Sequence, residues 1–186
     1  MFYDEIRAYV PRCEQEEADR RVMLEYIERF PDTILTRENR LAHVTSSGFL
    51  VNADASKVLF VHHNIYKTWA WTGGHADGEG DLLSVALREA REETGAVHVR
   101  PLSRRIASLD LLAVWGHWKR GEWVPGHQHL NVTYLLLAEE TDALSCCPEE
   151  NSGVAWIPAE RLKEVAGEWQ MVPIYDKLIA RARALL

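Results

Sequence analysis

The stretch Gly73-Gly74-His75-Ala76-Asp77-Gly78-Glu79-Gly80-Asp81-Leu82-Leu83-Ser84-Val85-Ala86-Leu87-Arg88-Glu89-Ala90-Arg91-Glu92-Glu93-Thr94-Gly95-Ala96 changes character at its middle. Its first half is too rich in glycine for the interior of a helix or strand and is expected to be a loop. From Leu82 to Thr94 the period becomes helical. Leu83, Ala86, Leu87 and Ala90 fall at i, i+3, i+4 and i+7 and make one apolar stripe. Asp81 stands where an N-cap is wanted and Gly95 where a left-handed C-cap is wanted.

Chemistry is expected on the flank of this helix. Glu89, Glu92 and Glu93 are three and four residues apart, so at about 100° per residue they share an arc of roughly 100°. Three like charges so close repel one another, and a helix built only for stability would avoid them. A charge-laced solvent face is the plain alternative. A hard divalent cation relieves the repulsion, because carboxylate oxygens are the ligands Mg²⁺ and Mn²⁺ prefer. Arg88 can pair with Glu92 at i+4, and the glycine loop offers bare backbone groups to a phosphate or a metal.

With these residues in place, the chain resembles the Nudix hydrolases. Counting from Gly74, the family's signature finds Gly74, Arg88, Glu89, Ala90, Glu92, Glu93, Gly95 and Ala96 in register; its early Glu falls on Gly80, between Glu79 and Asp81. That position usually supports the metal ligands, so the departure touches the surroundings of the site more than its core. The resemblance implies an α/β/α sandwich of mixed sheet and helices, and metal-dependent hydrolysis of a diphosphate that links a nucleoside to another group. It also implies Mg²⁺ or Mn²⁺ held by Glu89, Glu92 and Glu93, with the Gly74 backbone as a weaker ligand, and Arg88 holding a carboxylate in place. Divalent ions would neutralise the diphosphate and lower the pKa of a bound water. Such enzymes often take a general base from a loop outside the signature. Glu150 is the first candidate, with Glu149, Glu139 and Glu140 as rivals. Markers of the ADP-ribose, dinucleoside-polyphosphate and NADH-cleaving subfamilies are absent downstream, where Asp110, Leu111 and Leu112 stand. Two alternatives of other classes are a nucleotide sensor that does not cleave and a diphosphate isomerase. The first usually loses signature glutamates, and the second wants a cysteine near the site.

The remaining sequence sets bounds. A chain of 186 residues, nearly half hydrophobic, holds one domain with an appendage. We expect a helical extension over 1–40 and a catalytic domain over 41–186. A net charge of −7 argues against stable nucleic-acid binding but not against a small nucleotide substrate. No apolar run spans a bilayer, and the first turns carry Asp4, Glu5 and Arg7, so neither membrane nor signal peptide is expected. Cys13, Cys146 and Cys147 make a poor disulfide framework; they read as small apolar filler in a reduced, cytoplasmic protein. The N-terminal helices are expected to pack on the domain or on a second subunit, which leaves a homodimer open; overhanging the active site is a further alternative.

Strands are expected over 44–51 and 57–62, from Val97, over 106–118 with Gly116 at a bulge, over 127–138 and over 154–157; helices are expected over 159–165 and 172–185. Along 127–138, His127, His129, Asn131 and Thr133 share one face, which either lines a wet cleft or meets solvent. Two histidines at i, i+2 can ligate a metal, but the sequence offers no third ligand. Trp71 reads as packing. Lys67 could reach a phosphate, and Trp115, Trp118 and Trp123 could stack on a base, although hairpin packing explains the tryptophans as well.

Overall fold

The computed structural model describes residues 2–119 and 121–186. Helices α1 (Phe2–Ala8) and α2 (Glu14–Arg29) precede strands β1 (Ala42–Val51), β2 (Lys57–His63), β3 (Trp69–Ala70) and β4 (Thr72–His75). Helix α3 (Leu82–Thr94) follows, then β5 (Arg100–Pro101), β6 (Ser108–Val114), β7 (His117–Lys119), β8 (Glu122–Val124), β9 (His127–Leu137) and β10 (Asn151–Pro158). Helices α4 (Leu162–Val165) and α5 (Val172–Arg183) close the fold. The main sheet runs β10-β2-β1-β9-β5, with β3 on β2, β4 on β1 and β6 on β9, and β1 and β9 are its parallel pair. This is the mixed-sheet sandwich expected. None of the described helices is long and apolar enough to cross a membrane.

The central pair is half polar and half apolar on one face. His43, Thr45 and Ser47 of β1 lie beside His129, Asn131 and Thr133 of β9; two residues further on, Phe49 and Val51 lie beside Leu135 and Leu137. Because side chains alternate, all ten point to the same side. Helix α5 covers only the apolar half: Tyr175, Leu178, Ile179 and Ala182 pack on Phe49, Val51, Leu135 and Leu137. The polar half is left to line a cavity. On the opposite face, Val44, Leu50, Val132 and Leu136 form a second core with Leu83, Ala86 and Ala90 of α3. Ile6, Tyr9, Met23 and Ile27 join that core, so the N-terminal helices pack on the domain itself.

A buried ion network ties the two ends of the chain together. Glu16 accepts hydrogen bonds from Tyr9 Oη (2.8 Å), the Arg12 N–H (2.9 Å) and Arg181 of α5, and Lys177 Nζ stands 3.2 Å away. Burial alone would raise the Glu16 carboxyl, but these partners outweigh it and hold the group down at about 2.

Four expectations are corrected. Thr72–His75 is a strand, not a loop, and it pairs with Thr45–Gly48. Glycine serves there because a Cβ at Gly73 would stand 2.4 Å from Ser47 Oγ. Val97–Val99 is not a strand: Val97 is exposed, and the Val97 and His98 N–H groups both donate to the Asp142 carboxylate at 2.8 Å. The run from 106 to 118 breaks at Trp115–Gly116, so the chain turns into the separate hairpin β7–β8, closed by Gly121 at φ 84°. The cysteines are free, but Cys13 and Cys146 are exposed and fill no core.

Candidate active site

Helix α3 is fixed at both ends as its sequence requires. The Asp81 side chain accepts from the Ser84 N–H at 3.1 Å, and Gly95 takes the left-handed cap at φ 71°. Ser46 Oγ of β1 donates to the Leu82 carbonyl at 2.6 Å, and Gly48 lets the Ala86 carbonyl come close. The last turn therefore lies over β4 with Glu89 and Glu93 turned toward the two glycines. The Gly73 N–H donates to Glu93 Oε1 at 3.0 Å. The Glu89 carboxylate fills the space above Gly74 that a Cβ would occupy.

Glu150 arrives from the opposite side. The Asn64 N–H holds the Glu150 carbonyl at 2.9 Å. Buried Asn151 donates to the Glu93 carbonyl at 2.9 Å and accepts from the Cys147 N–H at 3.2 Å. This loop and the end of α3 are thus one hydrogen-bonded unit. Carboxylate oxygens of Glu89, Glu93 and Glu150 lie within 4.8 Å of one another. Glu92 is not in that set. It is exposed, about 60° round the helix from Glu89 on the side away from Glu93, although its charge still acts on both. Arg88 pairs with Glu89 at 3.1 Å and not with Glu92 as its spacing suggested. Glu140 is engaged elsewhere, by Lys57 and by Asn52 at 2.9 Å.

Crowding and burial have an electrostatic result. Burial, opposed by the Gly73 N–H and reinforced by Glu150, Glu89 and Glu92, pushes the Glu93 carboxyl up to about 8. Burial also raises Glu89. Crowded carboxylates, of which Glu93 is buried and Glu89 half-buried, are what a hard divalent cation fits, and oxygen donors of this kind are the ligands of Mg²⁺ or Mn²⁺.

Glu93, with Gly73 and Gly74, lines a cavity of about 690 Å³. Thr45, Ser47, Asn131, His127 and His129 form its floor, so the polar face of β9 lines the cleft. Asn131 is held by Thr45 and Ser47, each donating to its Oδ1 at 2.9 Å. Trp71, Tyr66, Trp115 and Trp169 contribute aromatic wall, and Lys119 and Arg37 contribute positive charge. Trp71 also packs edge-on against Tyr175 at 5.4 Å, as expected of a packing residue. Trp118 and Trp123 meet edge to face at 5.6 Å on the exposed hairpin and are not among the lining residues. Lys67 and the cysteines are not among the described lining residues.

Sequence reasoning missed Asn151, Trp169 and the histidines at 43 and 75. Burial first, then Arg37 and the neighbouring imidazole of His43, holds His75 down at about 3; burial, then His75 and His43, holds His129 down at about 2. These rings are neutral at neutral pH. For His43 the alternation of its strand put it in phase with Thr45 and Ser47, a signal that was available but unspecific.

Comparison with known proteins identifies the family and the fold. A family model described as NUDIX domain matches residues 42–181. None of the curated proteins compared matches the chain in sequence. Among solved structures, an Ap4A hydrolase of C. elegans superposes with a TM-score of 0.53 at 15% identity, over 76% of this chain and 98% of its own. A NUDIX-family hydrolase of Clostridium perfringens gives 0.53 at 21%, over 75% and 97%. The E. coli dihydroneopterin triphosphate pyrophosphohydrolase gives 0.52 at 13%, over 74% and 95%. At these identities the likeness speaks to the fold.

Proposed function

We propose that this chain, which belongs to the Nudix hydrolase family, hydrolyses a diphosphate linkage in a small nucleotide-type substrate held in the 690 Å³ cavity. The observation that carries this reading is the convergence of Glu89, Glu93 and Glu150 beside the Gly73–Gly74 strand, where Glu93 and both glycines line the cavity. Glu89 and Glu93 would hold a divalent ion of the Mg²⁺ or Mn²⁺ kind, with Glu150 facing it from across the cluster, Glu92 adding charge from the solvent side and the Gly74 backbone close by. When bound, such an ion neutralises diphosphate oxygens and acidifies a water.

The chain's own groups do the rest. The Gly73 N–H pins Glu93 Oε1, and Arg88 orients Glu89, so the oxygens are set before substrate arrives. Burial raises the Glu93 carboxyl, so it would carry a proton at neutral pH and would bind a cation as the carboxylate. Glu150 is exposed to solvent yet within reach of the cluster, which suits a group that takes a proton from the attacking water. The aromatic wall suits a base, and Arg37 and Lys119 suit phosphate charge. Free cysteines fit a reducing, cytoplasmic setting.

The test is a turnover screen with Mg²⁺ and with Mn²⁺ over nucleoside triphosphates, dinucleoside polyphosphates, nucleotide sugars, ADP-ribose, NADH and coenzyme A, with products identified by mass. Glu93→Gln is expected to abolish turnover and weaken Mn²⁺ binding. Glu150→Gln is expected to cut turnover at least about 100-fold with Mn²⁺ affinity little changed. Tight binding of one compound with no product from any would replace the hydrolase reading with a sensor.

A further inference from the structure

We propose that His43, His75 and His129 form a second metal site, for a borderline transition-metal cation of the Zn²⁺ class, separate from the carboxylates and open to the same cavity. One ring nitrogen from each lies within 4.8 Å of the others. The sheet assembles them: His43 is level with His129 across the β1–β9 pair, and His75 is level with Thr45 on β4. Ring centroids are 5.0 Å apart for His43 and His75, 5.2 Å for His43 and His129, and 5.0 Å for His75 and His129.

His43 argues that the cluster is more than packing. It is only 4% exposed. Its Nδ1 lies 2.9 Å from the Asn39 carbonyl, which fixes the proton on Nδ1 and leaves Nε2 a bare lone pair. That Nε2 is buried and has no hydrogen-bond partner. Packed histidines normally satisfy both nitrogens, so an orphan aimed among other imidazoles needs an acceptor of its electrons. A backbone carbonyl on the far nitrogen is also how metal-bound imidazoles are oriented.

His127 repeats the arrangement. Its Nδ1 lies 2.9 Å from the Pro125 carbonyl, and its Nε2 is 3.2 Å from His129 Nε2. Two nitrogens on a tetrahedral ion with bonds of about 2.0–2.1 Å stand about 3.3 Å apart. His127 is therefore placed to become a fourth ligand or to give way to a water or a substrate oxygen from the cavity, which His75, His127 and His129 line. An all-nitrogen donor set selects Zn²⁺, Co²⁺ or Ni²⁺ and refuses Mg²⁺. The site is also distinct in position. Glu93 binds the Gly73 N–H, and His75 lies two residues further along β4, about 6.6 Å.

The experiment uses the full chain, stripped with chelator and held in excess Mg²⁺ so that the carboxylates are engaged. Zn²⁺ is titrated calorimetrically and Co²⁺ by its visible absorption, with X-ray absorption on the Zn²⁺ form to identify the donor atoms. One equivalent of Zn²⁺ with imidazole donors is expected, retained in Glu93→Gln and weakened at least about 100-fold in His75→Ala and in His129→Ala. His75 is half-buried, so its variant keeps the fold, and far-UV circular dichroism and thermal melting check this. Zn²⁺ binding that survives both histidine variants, or is lost only in Glu93→Gln, overturns the proposal. So does the absence of any Zn²⁺ binding in excess Mg²⁺, which would leave the four rings as packing.

Discussion

Replacing Gly74 by alanine should disable the site and spare the scaffold. A Cβ at Gly74 would stand 2.4 Å from Glu89 Cδ and 2.6 and 2.8 Å from its two oxygens. Carbon contacts settle at about 3.5–4.0 Å, so the carboxylate must withdraw by about 1 Å or more. The three nearest atoms all belong to the free end of a side chain, so the fold can relieve the contact cheaply, at about 1 kcal/mol for an off-rotamer shift. The site cannot, since a shift of about 1 Å in a positioning group can cost about 100-fold in rate. Gly73→Ala is the contrast. There the new Cβ meets the Ser46 carbonyl oxygen and Ser47 Cα at 3.0 Å as well as Ser47 Oγ, so strand must move against strand. That should cost about 1–3 kcal/mol, and each kcal/mol lowers the melting temperature by about 2–4 °C in a chain of this size. Gly80→Ala is the control, because nothing lies within 4 Å of its Cβ. The assay is melting temperature, Mn²⁺ affinity by electron paramagnetic resonance, and turnover on whichever diphosphate substrate the screen identifies. Expected for Gly74→Ala are a melting temperature near that of the parent, weakened Mn²⁺ binding and turnover down about 100-fold. Turnover within about threefold of the parent, or a loss of stability matching Gly73→Ala, would refute the placement of Glu89.

Two further outcomes follow from other parts of the molecule. Glu16→Gln should destabilise the fold by about 3–5 kcal/mol, because it leaves the buried Arg181 guanidinium without its anion. The Glu16 carboxyl titrates near 2 in the fold and near 4.5 when unfolded, so its contribution is complete above about pH 4.5 and is lost as pH falls toward 2. Asp110, raised by burial, works the other way and will shallow the limb. Denaturant unfolding at neutral and acid pH should show the difference between parent and Glu16→Gln shrinking at the acid end; a constant difference would count against the network. Trp169→Ala should raise KM by about 2–10-fold with kcat unchanged, since this exposed ring lines the cavity without supporting the core. A lower kcat at constant KM would place Trp169 in the chemistry instead.

Local pattern carried α3 well: period and both caps placed it at Leu82–Thr94. It failed at β4, where composition argued for a loop and the glycines turned out to serve close approach by Ser47 and Glu89. Propensity gives no way to tell a glycine needed for freedom from one needed for the space beside it. Glu150 was legible only as one of several loop carboxylates; what brings it to Glu93 is Asn151, whose partners are side chain to backbone across 58 residues. The histidine cluster was half legible. His127 and His129 are neighbours in sequence, but the others come from β1 and β4, and strand pairing at long range leaves no local mark. The same holds for Glu92 and Arg88: spacing put them on the right arc, and only packing against β4 separated Glu93, which faces it, from Glu92, which does not.

The parallel pairing of β1 with β9 also sets the order in which this protein can be assembled. Thr45 and Asn131 meet across 86 residues, so the chain must close a long loop before either strand gains its partner. Pairings of such long range form slowly, on a scale of about milliseconds to seconds in domains dominated by them. Helix α3 can coil early from local signals, but Gly73, Glu93, Glu150 and the histidines acquire their mutual positions only when that closure occurs. Catalytic competence and the global folding step should therefore appear together in a refolding experiment, with no active fragment preceding the complete sheet.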